Sequence, residues 1–224
     1  MSRRLPRALP TRFIVASLFA FATLPANAQS ARTGSGDGLP PRDEWQKVPE
    51  ILAALGAAPG RRIADVAAGH GYLTRHLSAK VGKTGRIYAV EIGDEELRAL
   101  RELAERDSLK NIEVITGTPT DPRLPSSLDG VVILNSYHEL SDYKATLAGI
   151  KGALRPGALL VLVDNAAGRG WFTERNDQAS HHAIDPKYVA AELTAAGFEI
   201  VDRRDGFIVQ PYAQWLIVAR SPAR

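Results

Sequence analysis

The 224 residues carry a formal net charge of +3, with 45% hydrophobic side chains and no cysteine, which excludes disulfides, zinc–thiolate sites and a thiol nucleophile. The positive excess is local: residues 1–28 hold Arg3, Arg4, Arg7 and Arg12 and no acid, and without those four charges the remainder stands at −1. In that remainder Lys and Arg are interspersed with Asp and Glu instead of forming a basic face, which argues against a nucleic-acid partner.

In chain order, the basic start is followed by the apolar run Phe13–Leu24 and then Ala26-Asn-Ala28. An apolar stretch of about a dozen residues before such a site describes a secretory signal peptide, because a membrane span needs about twenty. Cleavage is expected after Ala28, giving an exported, periplasmic protein with no membrane span. Residues 29–41, rich in Ser, Gly and Pro, suit a flexible linker, and 42–224 suit one domain able to bury a substantial core. Periodicity predicts a helix over Glu44–Leu55, a strand at Arg62–Val66, a helix at Tyr72–Val81, a strand at Arg86–Glu91 and a helix at Asp94–Arg106. A third strand is expected at Ile112–Thr116 and a fourth at Gly130–Leu134. Then come a helix at Asp142–Leu154, a strand at Leu159–Val163 and a helix at Pro186–Ala196, with a last pair of strands at Glu199–Asp202 and Gln214–Ala219. This alternation is that of an α/β domain, a parallel sheet covered by helices on both faces.

The chemistry concentrates in Arg62-Ile-Ala-Asp-Val-Ala-Ala-Gly-His-Gly-Tyr72, with Glu91 twenty residues past Gly71. A strand, a glycine turn, a helix and a second strand ending in an acid is the arrangement that holds nucleotide-type cofactors. Gly69 and Gly71 let the backbone turn sharply and approach a ligand, and Glu91 can accept hydrogen bonds from both hydroxyls of an unphosphorylated ribose. Taken alone, the glycine pair reads equally well as a plain turn. A nicotinamide-binding turn would carry a third glycine where Thr74 stands and would not usually carry an acid such as Asp65, so S-adenosylmethionine (SAM) fits better than NAD.

From Arg42 onward the chain resembles the class I SAM-dependent methyltransferases. The resemblance is carried by Arg42-Asp-Glu-Trp45, Ala58-Pro-Gly60, the Asp65–Gly71 turn, Val81-Gly-Lys-Thr-Gly85, Tyr137-His-Glu-Leu140, Leu154-Arg-Pro-Gly157, His182-Ala-Ile-Asp-Pro186 and Ala195-Ala-Gly-Phe198. It implies a Rossmann-like domain with a mostly parallel seven-stranded sheet and a C-terminal antiparallel hairpin. It also implies SAM contacts from Asp65, Ala67, Gly69, Gly71, Tyr72, Glu91, Thr118 and Asn135. Two positions depart from the family pattern: Ala67 replaces the first glycine of the turn, and Thr118 stands where many relatives carry an acid. An alanine with negative φ would cost only a methyl group.

Residues just past strands four and five should flank the transferable methyl group. Methyl transfer needs proximity and alignment first, and a base only where the acceptor must lose a proton. His138 is the candidate base, since its ordinary pKa lies near neutrality, and Asp164 is the second candidate for catalysis. A structural histidine and a loop-capping acid are equally open readings of the two. Tyr137, Trp171 and His182 are candidate acceptor contacts. The adjacent His181 and His182 cannot both reach one ion from a regular element, so no metal is expected. Asn135-Ser136 differs from the Asn-Pro-Pro-Tyr loop of amino-group nucleic-acid methyltransferases, which points to a small-molecule acceptor. The alternative is an exported binding protein that holds SAM or a related nucleoside without turnover.

Overall fold

A computed structural model describes residues 40–168 and 174–223. The expected signal peptide and most of the expected linker, together with Trp171, lie outside the described residues. Seven strands form one sheet in the order β3-β2-β1-β4-β5-β7-β6. They are β1 (Arg62–Val66), β2 (Arg86–Glu91), β3 (Ile112–Thr116), β4 (Leu128–Leu134), β5 (Leu154–Asn165), β6 (Glu199–Ile208) and β7 (Gln214–Arg220). β1 to β5 run parallel, and β7 is antiparallel to both of its neighbours. The mostly parallel sheet with a C-terminal antiparallel pair is the expected architecture.

The helices are α1 (Arg42–Trp45), α2 (Val48–Ala54), α3 (Tyr72–Val81), α4 (Asp94–Arg106), α5 (Tyr143–Ala153), α6 (Arg175–Ser180) and α7 (Pro186–Ala195), with a 3-10 turn at Tyr137–Glu139. Because strand side chains alternate with a period of two, each strand feeds two cores. Leu160 and Leu162 of β5, with Trp215 and Ile217 of β7, face Leu147 and Ile150 of α5 and Val189 and Leu193 of α7. Val161, Val163, Leu216 and Val218 face the other way, onto Ile51 and Leu55 of the α2 region and Leu73, Leu77 and Val81 of α3. Among the described residues no helix is long and apolar enough to cross a membrane.

Five elements, β1, α3, β2, α4 and β3, have the bounds that periodicity gives; the differences elsewhere have local causes. The first expected helix breaks in two at Lys47, whose φ is +53°. Pro49 lacks an N–H, and its ring would strike the carbonyl of Trp45 in a continuous helix. β5 begins earlier than expected because Leu154 pairs with Leu128 ahead of a register shift. β6 runs on to Ile208 through two irregularities in its pairing with β7. It is an edge strand whose exposed polar residues hide it from periodicity. α6 arises within a stretch without clear period. Asp185 caps α7 by accepting from the Lys187 N–H at 2.8 Å, with Pro186 in the first turn.

Trp215 is fully buried, and its Nε1–H donates to the Ile184 carbonyl at 2.8 Å, tying the loop before α7 to the sheet. Trp215→Ala should cost about 3–5 kcal/mol in urea unfolding. Trp215→Phe keeps most of the ring but leaves the Ile184 carbonyl unpaired, and should cost about 1–3 kcal/mol.

Candidate cofactor and acceptor site

In parallel sheets the ligand crevice lies beyond the carboxyl ends of the strands where strand order reverses, here between β1 and β4. A cavity of about 400 Å³ occupies that place, lined by Ala67, Gly69, Glu91, Thr118, Ser136 and Glu139 among others. A larger groove of about 990 Å³ lies between α5 and α7 beside Leu154, Pro156 and Pro222, toward the amino ends of the parallel strands. It has no part in the strand-end chemistry.

The floor of the crevice is the glycine turn. Glu91 reaches back from the end of β2, and its Oε1 accepts from the Gly69 N–H at 2.6 Å while Oε2 accepts from the Ile92 N–H at 3.0 Å. A carboxylate has about four acceptor positions, so two donors leave room for hydroxyls. Gly69 has φ +56°, and a Cβ built there would meet nothing within 4 Å, so its bare face is open space. Gly71 has φ +82°, the sharp turn expected of it, and a Cβ there would also lie 2.4 Å from Leu103 Cδ2 and 3.0 Å from Leu100 Cδ2 of α4. Ala67 is corrected: its φ is +55°, the left-handed region that a glycine enters freely and an alanine does not.

Asp65 is buried and accepts from the Thr74 hydroxyl at 2.7 Å. Burial pushes its carboxyl up to about 7, the Thr74 bond pulls it down, Glu91 raises it and the Arg42 guanidinium lowers it. Thr74 thus has a definite task where other cofactor turns have a glycine. Arg42 stacks on Tyr72, 4.0 Å from the ring centroid, and Tyr72 faces Arg42 and His76 at the mouth of α3 instead of lining the crevice. Thr118 does line the crevice, closing a turn with Asp121 through a hydroxyl that accepts from the Asp121 N–H at 3.0 Å.

Beyond β4 the chain turns sharply at Asn135, whose φ is +59°. The buried His138 follows in the 3-10 turn. Asp164 at the end of β5 is fully buried and grips it twice: Oδ2 accepts from the His138 backbone N–H at 2.9 Å, and Oδ1 lies 2.8 Å from Nδ1. Burial lowers the His138 pKa, but the bond and charge of Asp164, with Glu139, more than offset this, and the net direction is upward. Nε2 of His138 is buried with no hydrogen-bond partner among the described residues. It faces Glu139 Oε1 at 3.6 Å, and the same oxygen lies 3.5 Å from His182 Nδ1. Among the described residues the Asp164 carboxylate bonds to His138 and to the Asn165 N–H at 2.7 Å, an arrangement that positions the His138 ring.

Tyr137 is corrected as an acceptor contact. It is fully buried in the α5–α7 core, and its hydroxyl donates to Glu192 at 2.8 Å. Asn135 is held from behind: its Oδ1 accepts from Gln214 Nε2 at 2.8 Å, and Gln214 in turn accepts from Gln46 Nε2 at 2.8 Å. Gln46 and Gln214 escape sequence reasoning because isolated glutamines carry no spacing signal. Ile92 escapes it as well, although it stays 56% exposed on the crevice wall.

Strand order, glycine turn and strand-end acid together define a class I SAM-dependent methyltransferase domain. Residues 63–157 match the model of the family described as "Methyltransferase domain". Over 122 residues the chain is 27% identical to the ubiquinone/menaquinone biosynthesis C-methyltransferase of Shewanella halifaxensis, covering 54% of this chain and 48% of that one. The chain therefore spans about half the length of the curated relatives it matches. Among solved structures, a SAM-dependent methyltransferase from Aquifex aeolicus superposes with a TM-score of 0.69 at 24% identity, covering 80% of this chain and 92% of that one. The [4+2]-cyclase SpnF superposes with a TM-score of 0.71 at 15% identity, covering 80% and 82%. These two likenesses speak for the fold.

Two outcomes follow for this site. Ala67→Gly relieves the left-handed alanine and should raise unfolding stability by about 0.5–1 kcal/mol. Asp65 keeps its proton in the folded state up to about pH 7, whereas an unfolded aspartate loses it near 4, so folding stability falls as pH rises through that window and levels off above it. Urea unfolding of Asp65→Asn across pH 4–8 should lack this component, which amounts to at most roughly 4 kcal/mol.

Proposed function

We propose that the protein is an exported enzyme that transfers a methyl group from SAM to a small-molecule acceptor by direct displacement. The observation that carries this reading is the Glu91–Gly69 clamp at the floor of a crevice formed where β1 and β4 diverge. Both ribose hydroxyls find acceptors on Glu91, the bare face of Gly69 admits the backbone-close part of the ligand, and the exposed Ile92 gives a purine an apolar surface. Asp65, beneath the turn, is the acid that would answer the ammonium of the methionine part. Bound there, SAM supplies a methyl group on a sulfonium, a good leaving group.

The chain's own residues then align and deprotonate. Asp164 fixes the His138 ring with Nδ1 turned toward its carboxylate, which leaves the Nε2 lone pair facing the Glu139 side, where the acceptor would present its proton. Export rests on the basic, apolar and Ala-x-Ala order of residues 1–28, with cleavage after Ala28 and a periplasmic location. A small-molecule acceptor is supported by the interspersed charges of residues 29–224 and by the quinone-pathway name of the curated relative.

Calorimetric titration of the chain with SAM tests the reading. Micromolar binding is expected, weakened at least tenfold by Glu91→Ala, about 1.4 kcal/mol. A cation beside Asp65 favours its carboxylate, so binding releases a proton. Affinity should therefore rise with pH up to about 7 and then plateau, and Asp65→Asn should flatten that rise. SAM binding without methyl transfer to any acceptor would favour the binding-protein alternative, and no binding at all would overturn both.

A further inference from the structure

We infer that His138, Glu139 and His182 form a binding site for a divalent transition-metal ion, with zinc the ion its donors suit, at the acceptor end of the crevice. The three side chains each offer one ligand atom, and these atoms lie within 4.8 Å of one another. The two distances to the shared Glu139 oxygen, 3.6 Å and 3.5 Å, match the separation of about 3.4 Å that metal–ligand bonds of about 2.0–2.1 Å impose in a tetrahedral site.

The second observation is the state of His138 itself. Its Nε2 is buried without a hydrogen-bond partner among the described residues, although an unpaired buried nitrogen is costly. Asp164 at Nδ1 fixes the tautomer that leaves Nε2 bare, and a carboxylate behind a ligating histidine is the outer support that metal sites use. The third ligand is supported as well. His182 adopts φ +54°, a conformation uncommon for a residue other than glycine, and its carbonyl accepts from Asn165 Nδ2 at 2.9 Å. Asn165 adjoins Asp164, so the end of β5 holds both histidines. His181 is turned away, with Nδ1 lying 2.8 Å from the Asp177 carbonyl.

Two imidazoles and a carboxylate suit Zn²⁺, Ni²⁺ or Fe²⁺ over Mg²⁺ or Ca²⁺. Three protein ligands leave a fourth position for water or an acceptor oxygen, on the side where Glu139 lines the crevice. With an ion in place, His138 is a ligand and no longer the base, so the site binds an oxygen-bearing acceptor through the ion. The site stands on these side chains alone and does not depend on SAM binding.

The test is Zn²⁺ titration of the chelator-stripped chain against a chromophoric competitor, with circular dichroism to confirm folding. One ion per chain is expected. Glu139→Gln and His182→Asn should each weaken binding at least tenfold, and Asp164→Asn by about 10–100-fold. Both ligand variants alter exposed side chains, and asparagine tolerates the positive φ at position 182. His181→Ala should leave the affinity within about twofold, as expected for a residue outside the site. Absence of stoichiometric binding, or an affinity unmoved by Glu139→Gln and His182→Asn, would overturn the proposal. Zinc binding retained in a chain that ignores SAM would contradict the transferase reading and leave this one standing.

Discussion

Three acidic side chains at strand ends, Asp65 on β1, Glu91 on β2 and Asp164 on β5, must find donors inside the protein, because a polar group drawn out of water is costly unless it is bonded. Each does so in a way that builds part of the site. Asp65 takes the Thr74 hydroxyl and secures the first turn of α3 under the crevice. Glu91 takes the Gly69 N–H and shapes the floor. Asp164 takes both the backbone and the ring of His138 and turns its far nitrogen toward Glu139. The parallel topology places all three at the same edge of the sheet, so satisfying them and organising the site are one process.

A polar chain behind these acids couples distant segments. Arg42 donates to Gln46, Gln46 to Gln214, and Gln214 to both Asn135 and Asn165, while Asn165 donates to the His182 carbonyl. The first helix, both sides of the β4 and β5 ends, and the loop before α7 are thereby tied together. Three of the non-glycine residues with positive φ, Ala67, Asn135 and His182, border this region. Strain of this kind persists only where surrounding structure holds it.

The fold was legible in the sequence wherever the pattern was amphipathic and local. The bounds of β1, α3, β2, α4 and β3 follow from period and turn chemistry because each is bracketed by Gly, Asp or Asn, with α3 and α4 burying one face and β1 and β2 forming short apolar runs buried on both. The edge strand β6 was cut short because an exposed strand has little apolar alternation to read. At the site, Glu91, Gly69 and the turn at Gly71 were legible from spacing, whereas the contact of Gly71 with Leu100 and Leu103 of α4 is a tertiary feature that spacing cannot express. Tyr137, expected to touch the acceptor because it follows β4, lies in the core instead, since the 3-10 turn folds it under α5 and α7. The meeting of His138 with His182 depends on the path from β5 to α7 and leaves no trace in either local motif.

A crystal structure of the chain with the demethylated product of SAM would test the central claim most directly. The adenosyl group is expected over Gly69, with both ribose hydroxyls within about 2.5–3.0 Å of the Glu91 carboxylate and the sulfur toward Asn135 and the His138 side of the crevice. A ligand seated elsewhere, such as the groove between α5 and α7, or bound in the crevice with Glu91 unengaged, would contradict it.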